Sequence, residues 1–232
     1  MRRNTGLFSL SIVVAIALLS GGCAGSHQAR NVDVTQAVLV NPEMLQPGTG
    51  DQMLYRYVNR KVDIKKYSQF MADPVLISKA GEFDAEQLQN YQKLANNAYI
   101  YLVQEMSKSY KIVASPEPGT MRIQVAIIDA DRSKPVRMVL SSTIPYGIAI
   151  NVVKYAFTGK PTAVGEITAE IKVTDAMTGE VMGAGLDRRV GNTRPQSVID
   201  SWDNANDALQ YWAKRMTYIM CYGRGDANCE KP

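Results

Sequence analysis

The sequence predicts an α+β fold: a mixed, mainly antiparallel sheet with two long amphipathic helices packed on one face. Two segments, residues 83–110 and about 198–220, repeat apolar residues at every third or fourth position, which indicates helices with one buried stripe. Between them, alternating or continuous apolar segments indicate strands, and residues 166–190 have the pattern of a hairpin. Elements in this order favour a sheet covered on one face by helices.

The first helix follows an extended segment, residues 67–78, in which Pro74 restricts Asp73 to extended backbone angles. Asp84 is expected to cap the helix, with Gln87 at the reciprocal position of a capping box. The predicted apolar stripe consists of Leu88, Tyr91, Ala95, Ala98, Leu102 and Met106.

The strands after this helix include a central one and a hairpin. Residues 121–131 alternate and then become continuously apolar, as expected of a strand inside the sheet. In the hairpin, a turn at residues 175–179 uses Gly179 for a positive φ angle. The first hairpin strand places Ile167, Ala169, Ile171 and Val173 on one face and Glu166, Glu170 and Lys172 on the other.

The last helix carries both tryptophans of the chain on its apolar stripe, which favours a place in the core over an exposed binding site. The stripe consists of Trp202, Ala205, Leu209, Trp212, Met216 and either Ile219 or Met220.

The N-terminus, residues 1–22, is expected to be a signal peptide. Two arginines precede an apolar run, residues 7–19, which is shorter than the ~20 residues that a membrane-spanning helix needs. A retained transmembrane anchor is the alternative. The run ends in Leu19-Ser20-Gly21-Gly22-Cys23.

This ending resembles the bacterial lipobox, although Ser20 stands where Leu is usual. The resemblance implies cleavage before Cys23 and acylation of that cysteine, and more than one acyl chain would anchor the protein stably. Ala24, where Asp would favour the inner membrane, implies an outer-membrane address facing the periplasm.

Residues 23–52 are expected to form a lipidated N-terminus and flexible tether, and residues 53–232 a single periplasmic domain. The segment before residue 53 has apolar patches without a sustained period and ends in a Pro- and Gly-rich stretch. Such a tether would average roughly 30 Å end to end. The chain is 46% hydrophobic with a net charge of +4 and no basic run, so a core is expected and nucleic acid is not a predicted partner.

Cys221 and Cys229 are expected to form a disulfide, because an exported chain meets an oxidising compartment. Two free thiols or a metal pair are the alternatives. His27, the single histidine, lies in the predicted tether, so a four-ligand zinc site lacks ligands. No metal or other cofactor is therefore expected.

Residues 141–161 have apolar groups nearly all round a predicted helix, which requires that the helix be covered. A core crossover helix is one interpretation. The other is a surface for a partner subunit, another periplasmic protein or lipid. The candidate surface residues are Tyr146, Ile150, Val153, Tyr155 and Phe157.

Several of these segments together resemble an uncharacterised proteobacterial lipoprotein family, domain-of-unknown-function family 3313. The most specific parts are the Asp175-x-x-Thr178-Gly179-Glu180 turn, Asp187-x-Arg189, and Trp202 with Trp212. The resemblance implies location and fold, without catalytic residues. The hairpin is also loosely similar to curli-secretion and penicillin-binding-protein-activator lipoproteins, which bind partners or assemble into rings.

We therefore predict a non-enzymatic binding or assembly module of the bacterial envelope, held to the membrane by lipid and bound to a protein partner or to itself. One alternative is a ring-forming subunit of an export machine. Another is a hydrolase with a carboxylate pair such as Asp129 and Asp131 at a strand end.

Overall fold

The computed structural model describes residues 26–80, 84–128, 135–140, 166–190 and 201–232. Two α-helices lie in this part of the chain, α1 (Ala85–Met106) and α2 (Ser201–Arg224). Neither of them is long and apolar enough to span a bilayer. The strands are β1 (His27–Gln28), β2 (Gln46–Pro47), β3 (Tyr55–Val58), β4 (Gln69–Ala72), β5 (Val75–Ala80), β6 (Lys111–Ile112), β7 (Thr120–Ile128), β8 (Pro135–Leu140), β9 (Glu166–Asp175) and β10 (Val181–Val190).

These strands form one mixed sheet in the order β2-β3-β10-β9-β7-β4-β6. The long strands β7, β9 and β10 run antiparallel at its centre, and β4, β5 and β6 add the parallel pairings. β5 continues beside β7 where β4 ends, and β8 pairs antiparallel with β5. This arrangement confirms the predicted α+β fold with a mainly antiparallel sheet.

Both helices cover one face of the sheet, as predicted. The capping box forms: the Asp84 carboxylate accepts a bond from the Gln87 backbone N–H, and the Gln87 side chain accepts one from the Asp84 backbone N–H. Leu88, the first residue of the predicted α1 stripe, is 38% exposed, because the buried stripe begins one to two turns later. The largest buried residues of the layer between helices and sheet include Phe70, Ile77, Met106, Met121, Ile123 and Ile127.

The opposite face of the sheet is covered by the segment between β1 and β2, and we call residues 26–47, which include these two strands, the N-terminal strap. Val32, Ala37 and Leu45 of the strap are buried against Ala126 and Leu186 of the sheet. The prediction of a flexible tether over residues 23–52 is therefore wrong for residues 26–52. The strap has no sustained period because its buried residues are isolated. Ala37 and Leu45 each come directly after a 3₁₀ turn, Val34–Gln36 or Pro42–Met44, that itself buries no residue.

Glu170 fixes the strap to the sheet. Its carboxylate is fully buried and accepts hydrogen bonds from the backbone N–H groups of Val38, Leu39 and Val40 at 2.6, 2.9 and 3.0 Å. Burial raises the pKa of Glu170, against the opposing effect of these three donors. Lys172 donates to the Leu39 carbonyl oxygen at 3.2 Å. The face of β9 predicted to be polar is thus a binding surface for the chain's own backbone.

Candidate binding cleft

A cleft of about 440 Å³ lies between the C-terminal half of α2 and strands β3, β9 and β10. Its volume is within the usual range of small-molecule sites. The floor is recessed because β10 carries Gly183 and Gly185 there. A Cβ atom on Gly185 would lie 2.2 Å from the sulfur of Met53, so only glycine allows Met53 to pack against the strand.

Apolar side chains form the walls and rim of the cleft. Ile171 and Val173 project from β9, and Trp212, Met216 and Met220 project from α2. The described part of the chain exposes five large apolar side chains, and three of them line this cleft. These three are Val58, Ile219 and Tyr222, which are 50%, 43% and 72% exposed. Exposed apolar groups gathered at one concavity indicate a binding site.

Of the three charged residues in the described lining, Asp51, Arg56 and Arg215, only Arg215 is buried, with 8% exposure. Its guanidinium lies over the Tyr218 ring at 4.9 Å, and its Nη1 is 3.3 Å from Oδ2 of Asp51. Lys231 contacts the same Asp51 oxygen at 2.5 Å, and its hydrogen bond lowers the pKa of Asp51. Within the described residues, Nε and Nη1 of Arg215 are buried without a hydrogen-bond acceptor. Arg215 is therefore incompletely satisfied.

The predicted disulfide between Cys221 and Cys229 is present. It joins Cys221, in the last turn of α2, to Cys229 in the segment that follows the helix. The residues that follow return to the cleft, where Lys231 reaches Asp51. The disulfide thus helps to keep the Lys231 ammonium group at the rim of the cleft.

Asp187 joins the inner end of the cleft to the strap. The Trp212 indole N–H donates to its carboxylate at 2.8 Å, and the Gln28 side chain donates at 2.7 Å. The Leu54 backbone N–H adds a third bond at 3.3 Å. Gln28 also donates to the carbonyl oxygen of Gln52, a cleft residue.

Arg189, two residues further along β10, holds the beginning of the strap. Its Nε donates to the Ser26 hydroxyl at 3.0 Å, and its guanidinium stacks 3.6 Å from the centre of the Tyr211 ring. Burial lowers the pKa of Arg189. The Asp187-x-Arg189 pair singled out by the family resemblance is therefore structural: both residues tie the strap to α2.

The turn singled out with that pair is also structural. Asp175 Oδ1 accepts bonds from the backbone N–H groups of Met177 and Thr178, and Gly179 has φ of 75° as predicted. The Tyr67 hydroxyl donates to Asp175 Oδ2 at 2.8 Å. These bonds, Thr178 first, lower the pKa of Asp175.

The other residues predicted to be functional are not brought together by the described structure. Cys23, Asp129, Asp131 and the candidate surface at Tyr146, Ile150, Val153, Tyr155 and Phe157 lie outside the described residues. His27 lies exposed on β1. Across the described ranges, no three His, Cys, Asp or Glu residues come close enough to hold a metal ion.

Sequence reasoning missed the cleft itself. Two signals were present: Gly183 and Gly185 inside a strand, which mark a close backbone approach, and Arg215 beside an apolar helical stripe. Neither shows which surfaces meet, because β3 and α2 are about 150 residues apart in the sequence.

Comparison with known proteins gives one family match. A family model described as "Protein of unknown function (DUF3313)" matches residues 35–216. Among curated proteins, none matches this sequence significantly.

Solved structures similar to this chain at low identity include the following two. The PelC dodecamer from Paraburkholderia phytofirmans is 8% identical over 75% of this chain and 96% of that chain, with a TM-score of 0.34. A DUF4136 family protein from Bacteroides thetaiotaomicron is 14% identical over 68% of this chain and 92% of that chain, also with a TM-score of 0.34.

Proposed function

The chain belongs to the DUF3313 family of proteins of unknown function, and on that premise we propose that it is a lipid-anchored outer-membrane protein facing the periplasm. Its folded body acts as a non-catalytic binding module of the envelope, and the cleft receives the ligand or partner. The observation that carries the binding role is the apolar cleft with the incompletely satisfied Arg215 inside it.

The strap sets how far the body could stand from the membrane. Cys23 is three residues before Ser26, which is buried and bonded to Arg189. Three residues span at most about 11 Å even when fully extended. An acylated Cys23 would therefore hold the strap end of the sheet close to the lipid surface, rather than at the roughly 30 Å expected of a flexible tether.

The composition of the cleft supports binding without catalysis. General acid–base catalysis most often uses a histidine, or a carboxylate whose pKa lies near the working pH. The described cleft lining has one carboxylate, Asp51, which is already paired with Arg215 and Lys231. Its pKa is lowered, which removes it further from the range of a general acid.

Lipid labelling tests the anchor. Cys23→Ser should abolish incorporation of labelled palmitate in cells and leave unprocessed precursor. Cys221→Ser is the matched control, since it removes a thiol that the disulfide already uses, and it should label normally. Unchanged labelling of Cys23→Ser would overturn the proposed anchor.

Site-specific photo-crosslinking tests the cleft. A benzophenone amino acid at Tyr222 or Ile219, both on the cleft rim, should give discrete adducts in intact envelopes. The control is Met177, which is 57% exposed on the β9–β10 turn and does not line the cleft. Equal adduct patterns at Met177 and Tyr222 would contradict a binding role for the cleft. Adducts of the chain with itself would instead support the ring-forming alternative.

A further inference from the structure

We propose that the cleft binds the acyl chain of an amphiphile whose anionic oxygen head group pairs with Arg215. This inference rests on the proposed function in taking the cleft as the binding site. It adds the chemical class of the ligand, which would be a fatty-acid carboxylate or the phosphate of a single-chain phospholipid.

The head-group assignment follows from the state of Arg215. A buried guanidinium donor without an acceptor costs more free energy than one that is hydrogen-bonded. Asp51 gives Arg215 only an ion pair at 3.3 Å and shares the same oxygen with Lys231 at 2.5 Å. An entering carboxylate or phosphate oxygen would supply the missing acceptor, and the planar guanidinium suits both groups.

The balance of charge around the cleft favours the same ligand. Arg56 and Arg215 line it, Lys231 lies at its rim, and Asp51 is the single carboxylate of the described lining. In the described lining, two cations against one anion attract a negative head group and repel a cationic one. The surrounding low-polarity walls reduce screening by water.

The apolar part of the ligand is specified by the shape and composition of the walls. The methionine side chains of Met53, Met216 and Met220 are unbranched and adapt to a flexible chain. Gly183 and Gly185 leave a recess beside β10, and the exposed side chains of Ile219 and Tyr222 lie at its rim. An open apolar recess with a cation beside it matches an acyl chain better than a compact polar metabolite.

Calorimetric titration of the mature chain tests the proposal. Residues 23–232 with Cys23→Ser contain every described element of the fold. The probes are decanoate and a lysophosphatidylglycerol, each below its micelle concentration, with decan-1-ol, decyltrimethylammonium and acetate as controls. We expect decanoate, lysophosphatidylglycerol or both to bind about tenfold or more tightly than decanol, because a charge-assisted hydrogen bond is lost in the alcohol. Acetate should not bind detectably.

The relative affinities of the two anionic probes separate carboxylate from phosphate as the natural head group. Arg215→Met should remove the preference over decanol. Lys108→Met is the matched control, because Lys108 is an exposed cation just beyond the C-terminus of α1 and does not line the cleft. Equal affinity for decanol and both anionic probes, or an unchanged preference in Arg215→Met, would overturn the proposal.

A second pair of variants keeps the test valid if Arg215→Met fails to fold. Ile219 is 43% exposed and lies one helical turn from Arg215. Ile219→Glu places a competing carboxylate beside Arg215 and should weaken decanoate binding about tenfold, whereas Ile219→Lys should preserve it. Equal loss in both variants would contradict the head-group assignment.

Crosslinking and calorimetry together distinguish failure of the ligand assignment from failure of the proposed binding role. Adducts at Tyr222 in envelopes without binding of any anionic amphiphile would disprove the ligand class and leave the binding module standing. If neither adducts at Tyr222 nor binding of an anionic amphiphile is observed, the cleft is not a binding site.

Discussion

The two faces of the sheet are covered in different ways. On one face, α1 and α2 bury continuous apolar stripes against the sheet. On the other, the N-terminal strap buries scattered residues and is fixed at its middle by Glu170. Asp187 and Arg189, which also contact α2, hold the start of the strap beside β10. The helical layer is held by close packing, so a cavity there is costly. The strap is held by a few hydrogen bonds that specify its position. This difference predicts different responses to mutation.

The largest effect is expected for a matched pair of leucines. Leu102 of α1 and Leu45 of the strap are 5% and 7% exposed. Leu102→Ala should lower the free energy of unfolding by about 3–4 kcal/mol, because the rigid helix cannot close the cavity. Leu45→Ala should cost about 2 kcal/mol, because the strap can settle into the space. Urea denaturation measures both, and equal losses would show that the two layers are equally rigid.

Glu170→Gln should cost about 2 kcal/mol, because an amide has one acceptor oxygen and places N–H donors against one of the three strap amides. Hydrogen exchange should accelerate at Val38, Leu39 and Val40 but not in α1. Faster exchange in both regions would mean that the strap and the helices unfold as one unit.

The same variant has a predicted pH dependence. The pKa of Glu170 is raised in the folded state, so its contribution to stability is fully present below its unfolded pKa and is lost as the pH rises through the folded value. Glu170→Gln has no titrating group at this position, so only the wild type should lose this contribution to stability as the pH rises. The difference in stability between wild type and variant should therefore narrow from pH 4 to pH 8. A stability difference between wild type and variant that does not change with pH would show that Glu170 does not titrate between pH 4 and pH 8.

Trp212→Phe should cost about 1.5 kcal/mol, because the phenyl ring retains most of the packing but leaves Asp187 without one of its three donors. Leu209→Met on the same helix is the control for altered packing alone. Proteolysis should cut the strap faster in Trp212→Phe and not in Leu209→Met, since Asp187 also holds Gln28.

The smallest effect is expected at the hairpin turn. Desolvation first, and then the bond to Asp175, raise the pKa of Tyr67 to about 12. The contribution of Tyr67 to stability should be present below pH 10 and be lost as the pH rises through 12. In a titration followed by phenolate absorbance, Tyr67→Phe should remove a step that occurs at high pH. The substitution should lower the free energy of unfolding by less than about 1 kcal/mol. Disappearance of an early step instead would contradict this value.

The helical face was predictable from the sequence, since the periods of α1 and of α2 record which side of each helix is buried. The capping box at Asp84, the turn at Gly179 and the Cys221–Cys229 bridge were predictable for the same reason, because each depends on residues within one short segment. The proposed anchor at Cys23 also depends on local sequence alone, and it stays a prediction.

The strap and the cleft were decided only by the tertiary structure. Glu170 looks like a solvated strand residue until Val38, Leu39 and Val40 bring their N–H groups to it from about 130 positions away. Arg215 likewise becomes a candidate ligand-binding residue only when Asp51 and the floor of β10 meet α2. Local patterns encode which side of an element is apolar, whereas the partners of a buried charge are set by long-range packing.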